Sequence, residues 1–256
     1  MINKLKSMEL DYIRCFSEEK KHENYIEFYD NKFRNTYTSN ISILNEDLKN
    51  NELIELINKE VSLYIKKGKD FLNFEVNDIV DENFSKSFLI KPKRVDTFNY
   101  LSIESKKYEE MPELEDIIIK KVCSKEEYKK LIDISVKDNE GVLGRGYSIK
   151  RIKRKIQVYK DESNNLSSYI CYYKNEPIGS YELLFKDGIC KIEDFGVLKE
   201  YRRRGIGTYI LKNILRENHK NGVNTNYLIA EKDGEAEKLY KRLGFVKYGE
   251  KTQFIW

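Results

Sequence analysis

Histidine, cysteine and long apolar runs are scarce in this chain, and each scarcity excludes a class of protein. Only two histidines occur, His22 and His219, with no H-E-x-x-H motif or Cys/His cluster, so we expect no metal site. The four cysteines form no C-x-x-C pair, which favours reduced thiols over a disulfide framework. No stretch reaches about 18 apolar residues, and the first residues lack the apolar core of a signal peptide. These features predict a soluble cytoplasmic protein without a membrane partner.

The chain also lacks a strong overall charge. It has 47 lysines and arginines against 43 aspartates and glutamates, which leaves a formal net charge of +4 over 256 residues. A global electrostatic attraction to nucleic acid is therefore not indicated, and any positively charged site must be local.

Glycine is almost absent from the first half. Gly68 is the only glycine in the first 140 positions, and the other twelve lie between Gly141 and Gly249. Because glycine allows positive φ and close backbone approach to a ligand, we expect a small-molecule site in the second half.

The second half has the pattern of a mixed α/β domain. A strand at 117–122 precedes a helix with a Ser124/Glu127 capping box, a glycine-rich turn at 140–146 and a second helix with an isoleucine stripe. Three strands with short turns follow, and then come two helices that alternate with two strands. This order predicts a sheet that is antiparallel first and joined by helical crossovers later.

The segment "KEYRRRGIG" places three arginines and two glycines directly before a helix that runs from about Gly205 to Lys220. A helix N-terminus already carries positive partial charge, and its free N–H groups make it an anion site. The arginines are either solvated or positioned for an anion such as a diphosphate. The segment is neither a P-loop nor a dinucleotide-binding fingerprint.

Two further features surround this segment. The preceding strand, "CKIEDFGVL", carries Glu193 and Asp194, whose side chains should point to opposite faces, so that at least one lines a cleft. Downstream, "AEKLYKRLGF" places Tyr240 on the apolar face of a helix that Gly244 ends in a Schellman-like turn. Both features also have a structural interpretation, as an ion-paired strand and a core tyrosine.

These motifs together resemble the GNAT superfamily of N-acetyltransferases. "VLKEYRRRGIGTYIL" and, about thirty residues later, "AEKLYKRLGF" match it, so the resemblance covers roughly residues 115–256. It implies a GNAT-like fold with acetyl-CoA as co-substrate and no metal. The cofactor-binding residues that it implies are Phe195, Val197, Arg202, Arg203, Arg204, Gly205, Ile206, Gly207, Thr208 and Asp233. Backbone amides of 203–208 would hold the pyrophosphate, and Phe195 and Val197 would pair with the pantetheine arm. Relatives often have Asn where this chain has Asp233.

Acetyl transfer to an amine needs a base, since an alkyl ammonium has a pKa of about 10.4. Glu193 or Asp194 could accept the proton directly or through water. The departing thiolate needs a proton donor, and Tyr240 occupies the position where many GNAT relatives carry a catalytic tyrosine. We expect direct attack of a primary amine in a ternary complex, with Tyr240, Glu193 and Asp194 as the catalytic residues.

The first half shows a faint internal repeat of the second. Residues 53–78 and 208–233 both predict a helix, a glycine stop, a strand and an acidic residue. Residues 202–207, which contain the three arginines and two glycines, are called the cradle. The first copy lacks these glycines and arginines, so it resembles a degenerate or partial acetyltransferase fold. A charged stretch with Pro112 interrupts the pattern at 105–116 and predicts two domains, residues 1–112 and 113–256.

The acceptor is the least determined feature. The segment predicted to border it is basic, which suits an anionic or phosphorylated amine or an acidic peptide, although a solvated helix face is the favoured explanation. Six residues make it basic: Arg145, Lys150, Arg151, Lys153, Arg154 and Lys155. The alternatives are an acyl-CoA-binding regulatory protein without catalysis and a nucleic-acid-binding protein on the same scaffold. The oligomeric state stays open, with a homodimer among the options.

Overall fold

The structure is a computed structural model that describes residues 1–45, 47–67, 71–80 and 83–256. Gly68, on which the comparison of the two halves partly rests, lies outside the described residues. Six helices are described: α1 (Ile2–Arg14), α2 (Asn50–Lys67), α3 (Lys125–Leu143), α4 (Arg145–Tyr159), α5 (Ile206–Lys220) and α6 (Glu235–Arg242). Eleven strands are described: β1 (Glu18–Lys21), β2 (Tyr25–Tyr29), β3 (Ile41–Leu44), β4 (Asn73–Val76), β5 (Arg94–Glu104), β6 (Ile117–Lys121), β7 (Leu166–Tyr173), β8 (Glu176–Lys186), β9 (Ile189–Val197), β10 (Thr225–Glu231) and β11 (Val246–Ile255). No helix in these ranges is long and apolar enough to cross a membrane.

The chain forms two compact units that no single cut separates. Unit 1 contains Met1–Tyr100, Ile229–Lys238 and Lys247–Trp256, and unit 2 contains Leu101–Leu228 and Leu239–Val246. Strands β5, β10 and β11 and helix α6 therefore contribute residues to both units. The division of the sequence at residue 112 stays a prediction.

Unit 2 is built on the sheet that the sequence predicts. Strands β6, β7, β8 and β9 pair antiparallel in chain order, and β10 then pairs parallel to β9. The two hairpins turn at Lys174–Asn175 and Asp187–Gly188, and all four residues have positive φ. Positive φ at both central residues gives the type I′ turn whose twist matches that of the strands.

Helices α3 and α4 cover this sheet. The predicted capping box is confirmed, because the Ser124 hydroxyl accepts from the N–H of Glu127 and the Glu127 carboxylate accepts from that of Ser124. Apolar residues of both helices and of strand β7 form one cluster: Val122, Leu131, Ile134, Ile152, Ile156, Ile170, Tyr172 and Leu198. This packing holds the two helices over the centre of the sheet.

The predicted glycine-rich turn at 140–146 is wrong in extent. Helix α3 continues through Gly141 to Leu143, and the chain turns only at Gly144, which has φ 79°. Gly141 meets nothing within 4 Å of its Cβ position, so it lies on an open helix face, where one glycine costs only about 1 kcal/mol.

Unit 1 repeats part of the arrangement of unit 2. Strands β2 and β3 are antiparallel, and β4 pairs parallel to β3 after the crossover helix α2. In unit 2, β8 and β9 are antiparallel and β10 pairs parallel to β9 after the crossover helix α5. This shared order supports the predicted internal duplication.

The cradle is missing from the first copy, as the sequence indicates. At the start of α2, the Glu52 carboxylate accepts from the N–H of Lys49 at 2.8 Å. One backbone N–H at this helix start is thus satisfied by a side-chain carboxylate. The described residues at this helix start, 47–52, contain neither the glycines nor the arginines that precede α5.

Candidate active site

The start of helix α5 has the geometry of an anion site. Gly205 precedes the helix with φ 76°, and Arg203 has φ 60°, so the backbone alternates in direction before Ile206. In the described part of the chain, none of the N–H groups of 203–208 donates to another backbone group, and the first such bond runs from Tyr209 to Gly205. Arg203 and Arg204 are exposed beside these donors. The arrangement offers several N–H groups and two cations to one anion.

Arg202 has a different environment from its two neighbours. Its Nε donates to the backbone oxygen of Val197 at 2.6 Å, and its Nη2 donates to Oδ1 of Asp138 at 2.6 Å. The neighbouring Lys137 pairs with Glu200 in the loop before the arginines. The side chain of Arg202 therefore ties the cradle to strand β9 and helix α3, although the sequence predicts it as a cofactor contact.

Strand β9 carries a β-bulge at its middle. Ser180 pairs with Gly196 and Glu182 with Glu193, so that Tyr181 alone faces both Asp194 and Phe195. Asp194 has φ 49°, a left-handed conformation that a non-glycine residue rarely adopts. A bulge bends its strand and re-aims a side chain, and here it turns the Asp194 side chain toward helix α4.

In the described part of the chain, the second half of β9 has no strand partner on the side that faces away from β8. Its pairs with β10 are Ile189 with Thr225, Cys190 with Asn226 and Lys191 with Tyr227. Among the described pairings, strand β9 continues to Val197 without further partners on β10. Residues 192–197 therefore present backbone groups without a strand partner on this side, except that the Val197 oxygen accepts from Arg202 Nε. An extended ligand with amide groups can add to such an edge as a strand would. The predicted cofactor contacts Phe195 and Val197 lie on this edge.

The carboxylates of Glu193 and Asp194 diverge as the sequence predicts. Glu193 lies 2.7 Å from the ammonium of Lys191, which is 1 % exposed. Asp194 lies 2.6 Å from Arg151 and 2.8 Å from Lys155. Burial alone would raise the pKa of Asp194, but these two cations hold that pKa well below its usual range. Asp194 is therefore ionised and is a weak proton acceptor near neutral pH.

A third carboxylate, Glu182, belongs to the same cluster, and the sequence analysis did not find it. Glu182 is buried on β8, and its Oε1 accepts from Lys155 Nζ and from the Tyr159 hydroxyl, both at 2.6 Å. Burial raises the pKa of Glu182 to about 6 against the opposing effect of Lys155. Two features of the sequence indicate this pair: Glu182 lies within the apolar run "YELLF", and Lys155 precedes Ile156 on the isoleucine stripe of the next helix upstream.

The predicted basic acceptor segment is thus partly neutralised. Arg151 and Lys155 contact carboxylates of the cluster, and Arg145 pairs with Glu140. Lys150 and Lys153 are exposed.

Tyr240 lies in α6 and is buried. Burial and the nearby Glu193 carboxylate raise the pKa of Tyr240 to about 12, so its hydroxyl stays protonated at neutral pH. The predicted Schellman turn is confirmed, because Phe245 N–H donates to Tyr240 C=O and Gly244 N–H to Lys241 C=O. The Phe245 ring packs against the tyrosine at 5.4 Å.

Asp233 belongs to unit 1, whereas the other predicted site residues belong to unit 2. Its N–H donates to the buried carboxylate of Glu237 at 2.7 Å, which caps the start of α6, and its side chain is exposed. Among the described residues, no three His, Cys, Asp or Glu side chains lie together as a metal ion requires.

Comparisons with known proteins find a family model that matches the C-terminal half of the chain. A family model described as "Acetyltransferase (GNAT) domain" matches residues 134–256. The "uncharacterized N-acetyltransferase CgeE" of Bacillus subtilis (strain 168) is 29% identical over 111 residues, which cover 41% of this chain and 42% of that protein. The "uncharacterized N-acetyltransferase YjcF" of the same organism is 34% identical over 92 residues, 36% of this chain and 64% of that protein. The chain thus spans about half the length of these curated relatives.

Solved structures resemble the chain over most of its length. A "GCN5-related N-acetyltransferase from Kribbella flavida" aligns over 98% of this chain and 93% of its own, with a TM-score of 0.69 and 13% identity. A "tandem GNAT protein from the clavulanic acid biosynthesis pathway" aligns over 91% of this chain and 78% of its own, with a TM-score of 0.58 and 9% identity. At such identities the likeness concerns the fold, and a tandem arrangement agrees with the repeat between units 1 and 2. The C-terminal half of the chain is thus similar to the acetyltransferase domain of the GNAT superfamily.

Proposed function

We propose that the protein is an N-acetyltransferase that transfers an acetyl group from acetyl-CoA to a primary amine. The observation that carries the proposal is the set of free N–H groups at 203–208, beside two exposed arginines and an unpaired strand edge. A diphosphate fits the first feature and an amide-containing arm fits the second. Acetyl-CoA has both, and its thioester supplies the activated acetyl group.

The residues fit this cofactor in one further respect. A Cβ on Gly205 would meet nothing within 4 Å, and one on Gly207 would meet only the Phe195 ring at 3.8 Å. The space in front of these glycines is open, so the backbone donors are accessible to a ligand. Gly205 is also needed for its positive φ.

Each predicted catalytic residue receives a role in direct attack by the amine. Tyr240 holds its proton at neutral pH and donates it to the departing sulfur, whose thiol has an ordinary pKa of about 8.5. Glu193 accepts a proton from the nitrogen during attack and lies close enough to Tyr240 to influence its pKa. Asp194 positions helix α4 through Arg151 and Lys155, because its lowered pKa makes it a weak base.

The release of free thiol from acetyl-CoA, measured with a panel of small primary amines, tests the proposal. Thiol release above the rate without amine, together with an acetylated amine found by mass spectrometry, would support it. Binding of acetyl-CoA without turnover of any amine would instead support the acyl-CoA-binding regulatory function. Failure to bind acetyl-CoA at all would contradict both.

A further inference from the structure

Asp138 is a carboxylate of helix α3 that the mechanism above does not use. Its Oδ1 accepts from Arg202 in the cradle, which fixes the orientation of the side chain. Its Oδ2 has no hydrogen-bond partner among the described residues. Burial raises the pKa of Asp138, against the opposing effect of Arg202 and with the help of the nearby carboxylates of Asp194 and Glu200.

The free oxygen of Asp138 lies over the backbone of strand β9. A Cβ placed on Gly196 would come within 2.7 Å of Oδ2, so the carboxylate can occupy this place only because residue 196 has no side chain. Gly196 follows the bulge at 194 and 195 and lies on the strand segment with the free edge. The oxygen is therefore positioned beside the strand to which the pantetheine arm is assigned.

A cavity of about 190 Å³ opens at the same place, between α3 and strands β8 and β9. Its polar lining includes Ser135, Asp138, Asn139, Ser180, Glu182 and Asp194. Since a water molecule takes about 30 Å³ of liquid, the cavity has room for a small amine rather than a macromolecule.

The other carboxylates of the cavity are engaged with cations. Asp194 is paired with Arg151 and Lys155, and Glu182 with Lys155. Asp138 differs because one of its two oxygens remains available, and an acceptor without a donor in a partly buried cavity suits an N–H donor on a ligand.

On the basis of the proposed function, we propose that Asp138 Oδ2 binds the acceptor, a small alkyl ammonium, and removes one proton from its nitrogen. The carboxylate takes one proton from R–NH₃⁺ and releases it to solvent, which leaves R–NH₂ to attack the thioester carbon. The new C–N bond forms as the C–S bond breaks. The second N–H proton passes to Glu193, Tyr240 protonates the sulfur, and Glu193 returns its proton to Tyr240. The products are the amide, free CoA and one proton.

Binding of n-butylamine to the CoA-saturated protein tests the assignment, with n-butanol as the uncharged probe of the same size. We expect n-butylamine to bind more tightly than n-butanol. Asp138→Asn should weaken n-butylamine binding by about ten- to a hundredfold while n-butanol binding stays the same. Asp133→Asn, the same change at an exposed position of α3, is the matched control and should have no effect.

The pH dependence separates a direct contact from a structural role. In the wild type, n-butylamine binding should weaken as the pH falls through the raised pKa of Asp138, and the charged groups around it are Arg202, Asp194 and Glu200. Asp138→Asn should abolish this dependence. Equal binding by wild type and Asp138→Asn, an equal loss in Asp133→Asn, or no n-butylamine binding by the wild type would each overturn the assignment. Acetyl-CoA affinity, measured separately, shows whether the proposed function still stands.

Discussion

Lys155 is the residue on which the buried charge cluster of unit 2 depends. Its ammonium lies 2.6 Å from Glu182 and 2.8 Å from Asp194, and its side chain is 8% exposed. Substitution by methionine keeps most of the volume and removes the charge. Asp194 keeps Arg151 as a partner and Glu182 keeps the Tyr159 hydroxyl, but Glu182 loses the cation that balances its buried charge.

The expected loss of stability can be estimated from the broken ion pair between Lys155 and Glu182. Removing one partner of a buried ion pair costs about 3 to 5 kcal/mol. Even with Lys155 present, burial raises the pKa of Glu182 from 4.5 to about 6, which corresponds to a cost of about 2 kcal/mol near neutral pH. We therefore expect Lys155→Met to lower the free energy of unfolding by at least 3 kcal/mol at about pH 7.5.

The sign of the pH dependence follows from proton binding. Glu182 binds its proton more tightly in the folded chain, so its contribution to stability falls as the pH rises from 4.5 through its folded pKa. Losing Lys155 raises that pKa further, because a cation that favoured the charged form is gone. The difference between Lys155→Met and wild type should thus be smaller at about pH 5 than at about pH 7.5.

Urea unfolding followed by circular dichroism measures both effects. Circular dichroism is preferred to fluorescence because the single tryptophan, Trp256, lies in unit 1. The double variant Lys155→Met/Glu182→Gln removes the stranded charge and should recover most of the loss. A loss below about 1 kcal/mol in the single variant, or no recovery in the double variant, would refute the reasoning.

Three further predictions concern the site. Tyr240→Phe should lower kcat at least tenfold with little change in acetyl-CoA affinity, because only the proton donor is lost; an unchanged kcat in steady-state kinetics removes Tyr240 from the mechanism. Gly205→Glu should abolish acetyl-CoA binding in calorimetry, whereas Gly205→Asn, which tolerates positive φ, should retain part of it; equal binding by both variants contradicts the cradle. Gly196→Ala should lower stability by about 1 to 3 kcal/mol because its Cβ would meet Asp138 at 2.7 Å, and Gly207→Ala, with only an ordinary 3.8 Å contact, is the control in the same melting experiment.

The sequence predicts the elements of unit 2 well because local signals agree there. The Ser124/Glu127 capping box, the glycine at the end of α6 and the alternating strands each specify their element from neighbouring residues. The predicted end of α3 was wrong because Gly141 lies on an open helix face. There the packing of the rest of the helix outweighs the low helix propensity of one glycine.

Other features depend on contacts between residues that are distant in the sequence. The Asp138–Arg202 pair and the Lys155–Glu182 pair each join two elements, so neither partner shows its role in its own segment. The register shift that turns the Asp194 side chain toward helix α4 requires the pairing of β8 with β9. Strands β5 and β10 likewise have residues in both compact units because of tertiary packing, which the sequence pattern does not reveal.

A thermal melt with and without acetyl-CoA tests the central claim most directly. At about 100 times its dissociation constant, a ligand adds about 2.7 kcal/mol to the folded state, which raises the melting temperature by several degrees. We predict such a rise for the wild type and for Gly207→Ala, and its loss in a Gly205→Glu/Gly207→Glu variant. An unchanged melting temperature of the wild type at saturating acetyl-CoA would contradict the assignment of the backbone N–H groups at 203–208 as a diphosphate site.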